Sequence, residues 1–213
     1  MSFHIGDLVS RNSYGNDIIF KVVSINQNMV ELRGIDVRLC ADSDISDLKK
    51  EDSTKLNDDK ELLERFDGIG TLNRDEYFYM PGKVLHIDSD IDYLNRCMRF
   101  YDNAGIRAYG LNLSEKEVAS EITKYLEDLH PDIVIITGHD SYLKNKGNKD
   151  DIHNYKNSAN FVKAIENARK YEDSPDKLII IAGACQSDYE ELIKAGANFA
   201  SSPKRINIHA LDP

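Results

Sequence analysis

The chain has 213 residues, of which 41% are hydrophobic and 30% charged, so it has room for one domain of ordinary size and a small second one. Its 27 basic and 37 acidic residues give a net charge of −10. This excess argues against nucleic acid as a partner, because a phosphate backbone requires a basic surface. No signal segment opens the chain and no apolar stretch approaches a membrane span, so we expect a cytoplasmic protein that contacts no membrane.

The three cysteines indicate a reducing compartment. Cys40, Cys97 and Cys185 lie far apart, without the C-x-x-C spacing of a zinc site and without a disulfide framework. We therefore expect no metal and no organic cofactor. Cys40 falls at a predicted strand end and Cys97 on the apolar face of a predicted helix, so both are interpreted as structural.

Residues 1–48 are predicted to form a small SH3-like β-barrel. Short strands over Asp7 to Arg11, Ile18 to Asn26, Met29 to Arg33 and Ile35 to Cys40 alternate with turn residues such as Gly6 and Gly34. A unit of this kind is more often an interaction or packing module than a catalytic one.

Residues 49–80 are predicted to be a charged linker. They carry runs of acidic and basic side chains, and one short helix is expected over Asp58 to Asp67, ended by Gly68.

Residues 81–213 are predicted to be an α/β domain with a doubly wound parallel sheet of order 2-1-3-4-5. Functional groups in such a sheet collect at the carboxyl ends of the strands. The predicted strands are Lys83 to Asp88, Ile106 to Leu111, Ile133 to His139, Leu178 to Cys185 and Asn198 to Ser201. The predicted helices are Ile91 to Asn103, Ser114 to His130, Ser158 to Tyr171 and Asp188 to Ala195.

Two apolar runs carry the candidate catalytic residues. The third predicted strand ends at His139 and the fourth at Cys185, and a right-handed helical crossover between them makes the two strands parallel and adjacent. An imidazole and a thiol at those two ends form the pair that a cysteine nucleophile requires. The alternative for Cys185 is a small buried core residue, and for His139 a polar residue that merely ends a strand.

The small residues around this pair fit a catalytic thiol. Gly183 and Ala184 let the backbone approach another group closely, and the helix that follows favours a thiolate at Cys185. Backbone N–H groups of Gly138, Gly183 and Ala184 are candidates for an oxyanion hole.

Four carboxylates fall near the same edge. Asp88, Asp90, Asp140 and Asp188 are candidates to orient the histidine or to line a substrate pocket. The alternative is that they serve as solvated side chains or helix caps.

The segment from Lys83 to Arg205 resembles a response-regulator receiver domain. The acidic Asp88-Ser89-Asp90 turn and the Ala195-Gly196-Ala197-Asn198-Phe199 turn carry that resemblance. In this sequence, however, Thr137 occupies the position of that family's phosphoacceptor aspartate, so phosphotransfer is disfavoured. The alternative function from this resemblance is a receiver-like, non-catalytic interaction or regulatory protein.

A closer resemblance, along nearly the whole chain, is to the sporulation-specific cysteine protease family typified by YabG. The segments that carry it are Phe3-His4-Ile5-Gly6-Asp7, Val37-Arg38-Leu39-Cys40-Ala41-Asp42-Ser43-Asp44, Tyr79-Met80-Pro81-Gly82-Lys83-Val84-Leu85-His86, Ile136-Thr137-Gly138-His139-Asp140, Ala182-Gly183-Ala184-Cys185-Gln186-Ser187 and Ala195-Gly196-Ala197-Asn198-Phe199-Ala200-Ser201-Ser202-Pro203. The resemblance implies cleavage of spore coat and cortex-associated proteins in the sporulating cell, with the coat as a second location. Members of the family continue past Pro213, so the chain is expected to be truncated.

The order of histidine then cysteine on successive strands is also similar to caspase- and clostripain-like peptidases. Ala184-Cys185 fits their Ala-Cys motif, whereas His139 is followed by Asp140 rather than by glycine. Those peptidases read the residue before the cut through a charged pocket. We therefore expect cleavage after arginine, with one of the four aspartates pairing the guanidinium.

Overall fold

The computed structural model describes residues 2–55, 59, 82–143, 147–201, 208–209 and 211–212. Most of the predicted linker, including all but one residue of the helix expected over Asp58 to Asp67, lies outside these residues. The described part is a mixed α/β structure with one antiparallel and one parallel sheet, each of five strands.

The amino-terminal β module consists of the antiparallel sheet, whose strands are ordered β4-β3-β2-β1-β5. Alternate residues of β2 and β3 point into an apolar core that includes Phe20 and Leu32, as the two-residue period of a strand requires. The sheet continues to Lys50, because β5 pairs with β1. Closure into an SH3-like barrel remains a prediction. The strands are β1 (Leu8–Arg11), β2 (Phe20–Asn26), β3 (Met29–Gly34), β4 (Cys40–Asp44) and β5 (Leu48–Lys50).

The predicted strand over Ile35 to Cys40 is wrong except at its last residue, where β4 begins. The segment Ile35–Leu39, hereafter the 35–39 segment, leaves the sheet and crosses to the α/β domain. It makes isolated bridges there, Val37 with His209 and Leu39 with Asp140. Apolar and polar residues alternate in this segment as in a strand, but its apolar residues Val37 and Leu39 pair with His209 and Asp140 instead of with the module.

The parallel sheet forms the α/β domain, as predicted. Its strand order is β10-β9-β8-β6-β7, which is 2-1-3-4-5 when the strands of this sheet alone are counted. All neighbouring pairs in it are parallel. The elements are β6 (Val84–Asp88), α1 (Ile91–Asn103), β7 (Ala108–Asn112), α2 (Glu115–Leu129), β8 (Ile133–Thr137), α3 (Ser158–Tyr171), β9 (Ile179–Ala182), α4 (Tyr189–Lys194) and β10 (Phe199–Ala200).

Local sequence explains where these elements begin. Ser114 and Glu117 form the expected capping box at α2, and the Asp90 carboxylate accepts the N–H of Asp92 at the start of α1. Every residue of β6 is buried, as expected for a strand covered on both faces. α2 and α3 pack side by side on one face of the sheet, around Ile122 and Ile165.

The two units share a hydrophobic core. Cys185 and Ile208 from the α/β domain pack with Val9, Phe20 and Leu39 of the module. Among the described residues, no helix has both the length and the apolar character needed to cross a membrane.

Candidate active site

The carboxyl ends of β6, β8 and β9 bring Asp88, His139 and Cys185 to one edge of the sheet. β8 and β9 are parallel neighbours, with Ile136 opposite Ala182, as the crossover argument predicted. Gly138 fits a crowded position, because a Cβ there would lie 2.6 Å from Ser89 Oγ and 2.7 Å from Glu115 Oε1. The strand topology therefore places the predicted site residues on a common edge, facing the β module.

His139 is held by Asp90. Its Nε2 lies 2.9 Å from Asp90 Oδ2, and the Tyr93 ring lies beside the imidazole with centroids 5.4 Å apart. Burial opposes the charged imidazole, but the hydrogen bond to Asp90 and the neighbouring Cys40 outweigh it and raise the pKa of His139 to about 9. The same contact holds the pKa of Asp90 below its usual value, against the effect of burial. Of the four aspartates, Asp90 is the one that orients the histidine.

A second thiol approaches His139 from the β module. Cys40, the first residue of β4, is partly exposed and lies close enough to His139 to affect its pKa. His139 Nδ1 has no hydrogen bond of normal geometry in the described structure. Cys40 was interpreted as structural from the sequence, and its position beside the histidine was missed because it depends on how the module packs.

Cys185 is fully buried beneath the module. Its Sγ accepts a hydrogen bond from the N–H of Ile208 at 3.1 Å, and it makes no hydrogen bond to His139 in the described structure. Burial raises the pKa of the thiol to about 11, although main-chain hydrogen bonds from Ile208 and Arg38 favour the thiolate. The expectation of a thiol activated in the resting chain is therefore wrong for this arrangement.

Two of the three candidate oxyanion donors are already engaged. The N–H of Gly183 donates to the carbonyl of Ile136 at 3.0 Å, and the N–H of Ala184 donates to Ser187 Oγ at 2.9 Å. Neither amide is free to bind an oxyanion in this structure.

Arg38, which was not among the residues predicted from the sequence, occupies the space between the two units. Its side chain is fully buried, with Nη1 2.6 Å from Asp88 Oδ2 and 3.1 Å from Thr137 Oγ1. The guanidinium also lies 5.0 Å from the Tyr93 ring centroid. The Arg38 charge holds the pKa of Asp88 far below its usual value, although burial acts in the opposite direction.

The other two aspartates stabilise local structure. Asp140 accepts the N–H groups of Ser141 and Asn157, each at 2.8 Å, and the hydroxyl of Ser187 at 3.0 Å. Asp188 caps α4, where its carboxylate accepts the N–H of Glu191 at 3.4 Å. Asp188 is therefore the helix cap that the alternative anticipated, whereas Asp140 is neither solvated nor a cap but is buried and stabilises the loop after β8.

A cavity of about 650 Å³ lies between the module and the loop after β8. Leu39, Cys40 and Ala41 line one side, and Ser141, Tyr142 and Gln186 line the other, among further residues. No group of three His, Cys, Asp or Glu side chains in the described ranges could hold a metal ion. The residues around the strand ends suit acid–base and nucleophilic chemistry.

A histidine and a cysteine at adjacent strand ends of an α/β sheet are compatible with a peptidase, and the sequence comparisons show that the chain is of this class. The chain matches the family described as YabG peptidase U57 over residues 4–67 and 64–213. It is also 44% identical over 240 aligned residues to the sporulation-specific protease YabG of Bacillus subtilis (strain 168), covering 100% of this chain and 83% of the relative. The chain therefore belongs to the YabG family of sporulation-specific proteases.

Similarity to solved structures is weak. A cobalamin-binding protein from Desulfitobacterium hafniense DCB-2 aligns with a TM-score of 0.42 and 13% identity, over 73% of this chain and 67% of that one. A family 3 carbohydrate esterase from Clostridium thermocellum aligns with a TM-score of 0.34 and 13% identity, over 55% of this chain and 67% of that one.

Proposed function

We propose that the chain is a cysteine endopeptidase that cleaves after arginine, with Cys185 as nucleophile and His139 as the proton carrier. The observation that carries this proposal is the position of Arg38. The guanidinium of Arg38 pairs with Asp88, and its main-chain N–H lies close enough to the Cys185 sulfur to favour the thiolate, so one arginine spans the proposed pocket and the proposed nucleophile.

In the proposed reaction, neutral His139 accepts the proton of the Cys185 thiol as Sγ attacks the carbonyl carbon of the arginine, and the carbonyl electron pair moves onto oxygen. The tetrahedral intermediate collapses to a thioester as the C–N bond breaks, and the amine leaves with a proton from His139. Water then attacks the thioester as His139 accepts its proton, the C–S bond breaks, and His139 returns the proton to the Cys185 sulfur. Asp90 keeps the imidazole oriented throughout.

Cys40 is the competing nucleophile, because it is the thiol nearer to His139. The position of Arg38 argues for Cys185 instead. The 35–39 segment fills a cleft between the β module and the carboxyl ends of β6, β8 and β9. Cys40 lies on the chain that fills this cleft, two residues after Arg38, whereas Cys185 belongs to its wall. A nucleophile must lie beside the main chain of the residue whose side chain fills the specificity pocket. That residue is Arg38 here, and Cys185 lies beside its main chain.

Variants of the two thiols and of the histidine test the assignment. We expect Cys185→Ala and His139→Ala each to reduce cleavage of a fluorogenic arginyl peptide by about a thousandfold or more, with little further loss in the double variant. Cys40→Ala serves as the matched control and is expected to retain most of the activity. Loss of activity in Cys40→Ala but not in Cys185→Ala would reverse the assignment.

We further propose that the substrates are spore coat and cortex-associated proteins, cleaved in the sporulating cell or at the coat. The name of the B. subtilis relative, a sporulation-specific protease, supports this. Mass spectrometry of coat extracts, with active chain or with Cys185→Ala, is expected to find new carboxyl-terminal arginines in coat proteins only with the active chain.

A further inference from the structure

We propose that the 35–39 segment is a built-in inhibitor, which occupies the arginine pocket and lowers the activity of this peptidase while it stays there. The proposal rests on the proposed function, and it adds a regulatory role for Arg38 and assigns Asp88 as the arginine-binding residue.

The side chain of Arg38 supports this inference first. A charged side chain is costly to bury unless it is paired, and here the pairing is made by Asp88, fifty residues away, at the end of β6. Thr137 Oγ1 accepts a second hydrogen bond from the same Nη1 atom, at the end of β8. The pocket thus provides a carboxylate and a hydroxyl from two strand ends, which is a suitable site for a guanidinium of any origin.

The main chain supports it independently. The N–H of Arg38 donates to the carbonyl of Ile208 at 3.0 Å, and the N–H of Ile208 donates to Cys185 Sγ at 3.1 Å. Val37 forms an antiparallel bridge with His209, and Leu39 a parallel bridge with Asp140. The segment is therefore paired with the walls of the cleft on both sides of Arg38, in the manner of a bound peptide.

The conformation of the segment explains why it inhibits. The N–H of Leu39 donates to the carbonyl of Val37 at 2.8 Å, which folds the chain into a tight turn at Arg38. A peptide presented to a protease normally binds in an extended form instead. His139 faces Asp90 and Cys40, so neither its position nor the turn favours transfer of a proton to the Leu39 nitrogen.

Helix α1 holds the segment from outside the pocket. Tyr93 Oη donates to the carbonyl of Val37 at 2.9 Å and also contacts the carbonyl of Gly34. Arg96 Nη1 donates to the carbonyl of Ile35 at 2.9 Å. These contacts give a way to loosen the segment without changing Arg38 or Asp88.

The experiment measures two properties of the full chain. The first is the dissociation constant of agmatine, a small guanidinium compound, by calorimetry; the second is cleavage of an arginyl peptide added in trans. We expect agmatine to bind Arg38→Ala but not the unchanged chain, and the additional change Asp88→Asn to abolish that binding. We expect peptide cleavage by Arg38→Ala to be at least about tenfold faster than by the unchanged chain.

Two further variants complete the experiment: the first loosens the segment without removing Arg38, and the second is a control. Tyr93→Phe keeps the ring and the ion pair but removes the hydrogen bond to Val37, so a smaller rise in cleavage is expected even if Arg38→Ala does not fold. Arg107→Ala removes an exposed arginine of the same domain and is expected to change neither property.

The outcomes separate the inhibitor from the peptidase assignment. Equal agmatine binding and equal cleavage rates in the unchanged chain, Arg38→Ala and Tyr93→Phe would overturn the inhibitor. Agmatine binding that appears only in Arg38→Ala, without cleavage by any variant, would support the occupied pocket and contradict the proposed activity.

Discussion

Arg38 and Asp88 form an ion pair with an Nη1–Oδ2 distance of 2.6 Å and no solvent exposure of either side chain. It joins the β module to the edge of the parallel sheet. Breaking a buried pair by removing one partner typically costs about 3–5 kcal/mol. The stability with which the β module packs on the sheet therefore depends on which group pairs with Asp88.

Asp90→Asn should remove the carboxylate that orients the His139 imidazole and stabilises its charged form. The amide can still cap α1, where Asp90 accepts the N–H of Asp92 at 2.9 Å, but it cannot stabilise an imidazolium. We expect the pKa of His139, measured by NMR, to fall, and kcat/KM for an arginyl peptide to fall by about a hundredfold. Asp92→Asn, an exposed change in the same helix turn, is the control and should leave both unchanged. An unaltered His139 pKa in Asp90→Asn would contradict the orienting role.

The raised pKa of His139 makes stability depend on pH. A group whose pKa is raised on folding contributes its full stabilisation below its ordinary value of 6.5 and loses it as the pH rises through about 9. We expect the difference in unfolding free energy between the unchanged chain and His139→Gln to shrink across this window by up to about 3 kcal/mol. Urea titrations at several pH values measure it. A difference that stays constant over this window would show that His139 and Asp90 do not form a charged pair.

Alkylation should distinguish the three cysteines. Cys40 is partly exposed and lines the cavity between the units, whereas Cys97 and Cys185 are buried and burial raises the pKa of each thiol to about 11. In the unchanged chain we expect iodoacetamide to label Cys40 first, as mapped by mass spectrometry. In Arg38→Ala the labelling of Cys185 should accelerate. Preferential labelling of Cys185 in the unchanged chain would mean that the cleft is open at rest.

Gly183→Ala should be more destabilising than Gly6→Ala. Both glycines have positive φ, +111° and +93°, so both substitutions strain the backbone. A Cβ at Gly183 would also lie 2.8 Å from Leu192 Cδ1, whereas one at Gly6 would meet nothing within 4 Å. We expect an additional loss of about 1–3 kcal/mol at Gly183, measured by chemical unfolding. Equal losses would indicate that the β9 turn can relax.

The sequence predicted the parallel sheet and its helices well because their signals are local. The apolar run of β8, the capping box of α2 and the positions of His139 and Cys185 follow from periodicity and capping alone. The adjacency of β8 and β9 then follows from the handedness of the crossover.

The occupied cleft could not be predicted in the same way, because it depends on contacts between distant segments. The alternation of Ile35 to Cys40 is typical of a strand, but its partners are Asp140 and His209 rather than the rest of the module. Sequence therefore identified Asp88 and Asp90 as candidates without separating their roles. That separation requires Arg38, which lies on another unit of the fold.

The order of the two units along the chain has a consequence for how the molecule is made. The 35–39 segment precedes every strand of the parallel sheet, and amino-terminal units generally fold first during synthesis. The proposed inhibitor has therefore been synthesised before the strands that carry Asp88, His139 and Cys185 assemble. A ribosome producing this chain would release a latent enzyme, and no uninhibited protease would be exposed to newly made proteins nearby.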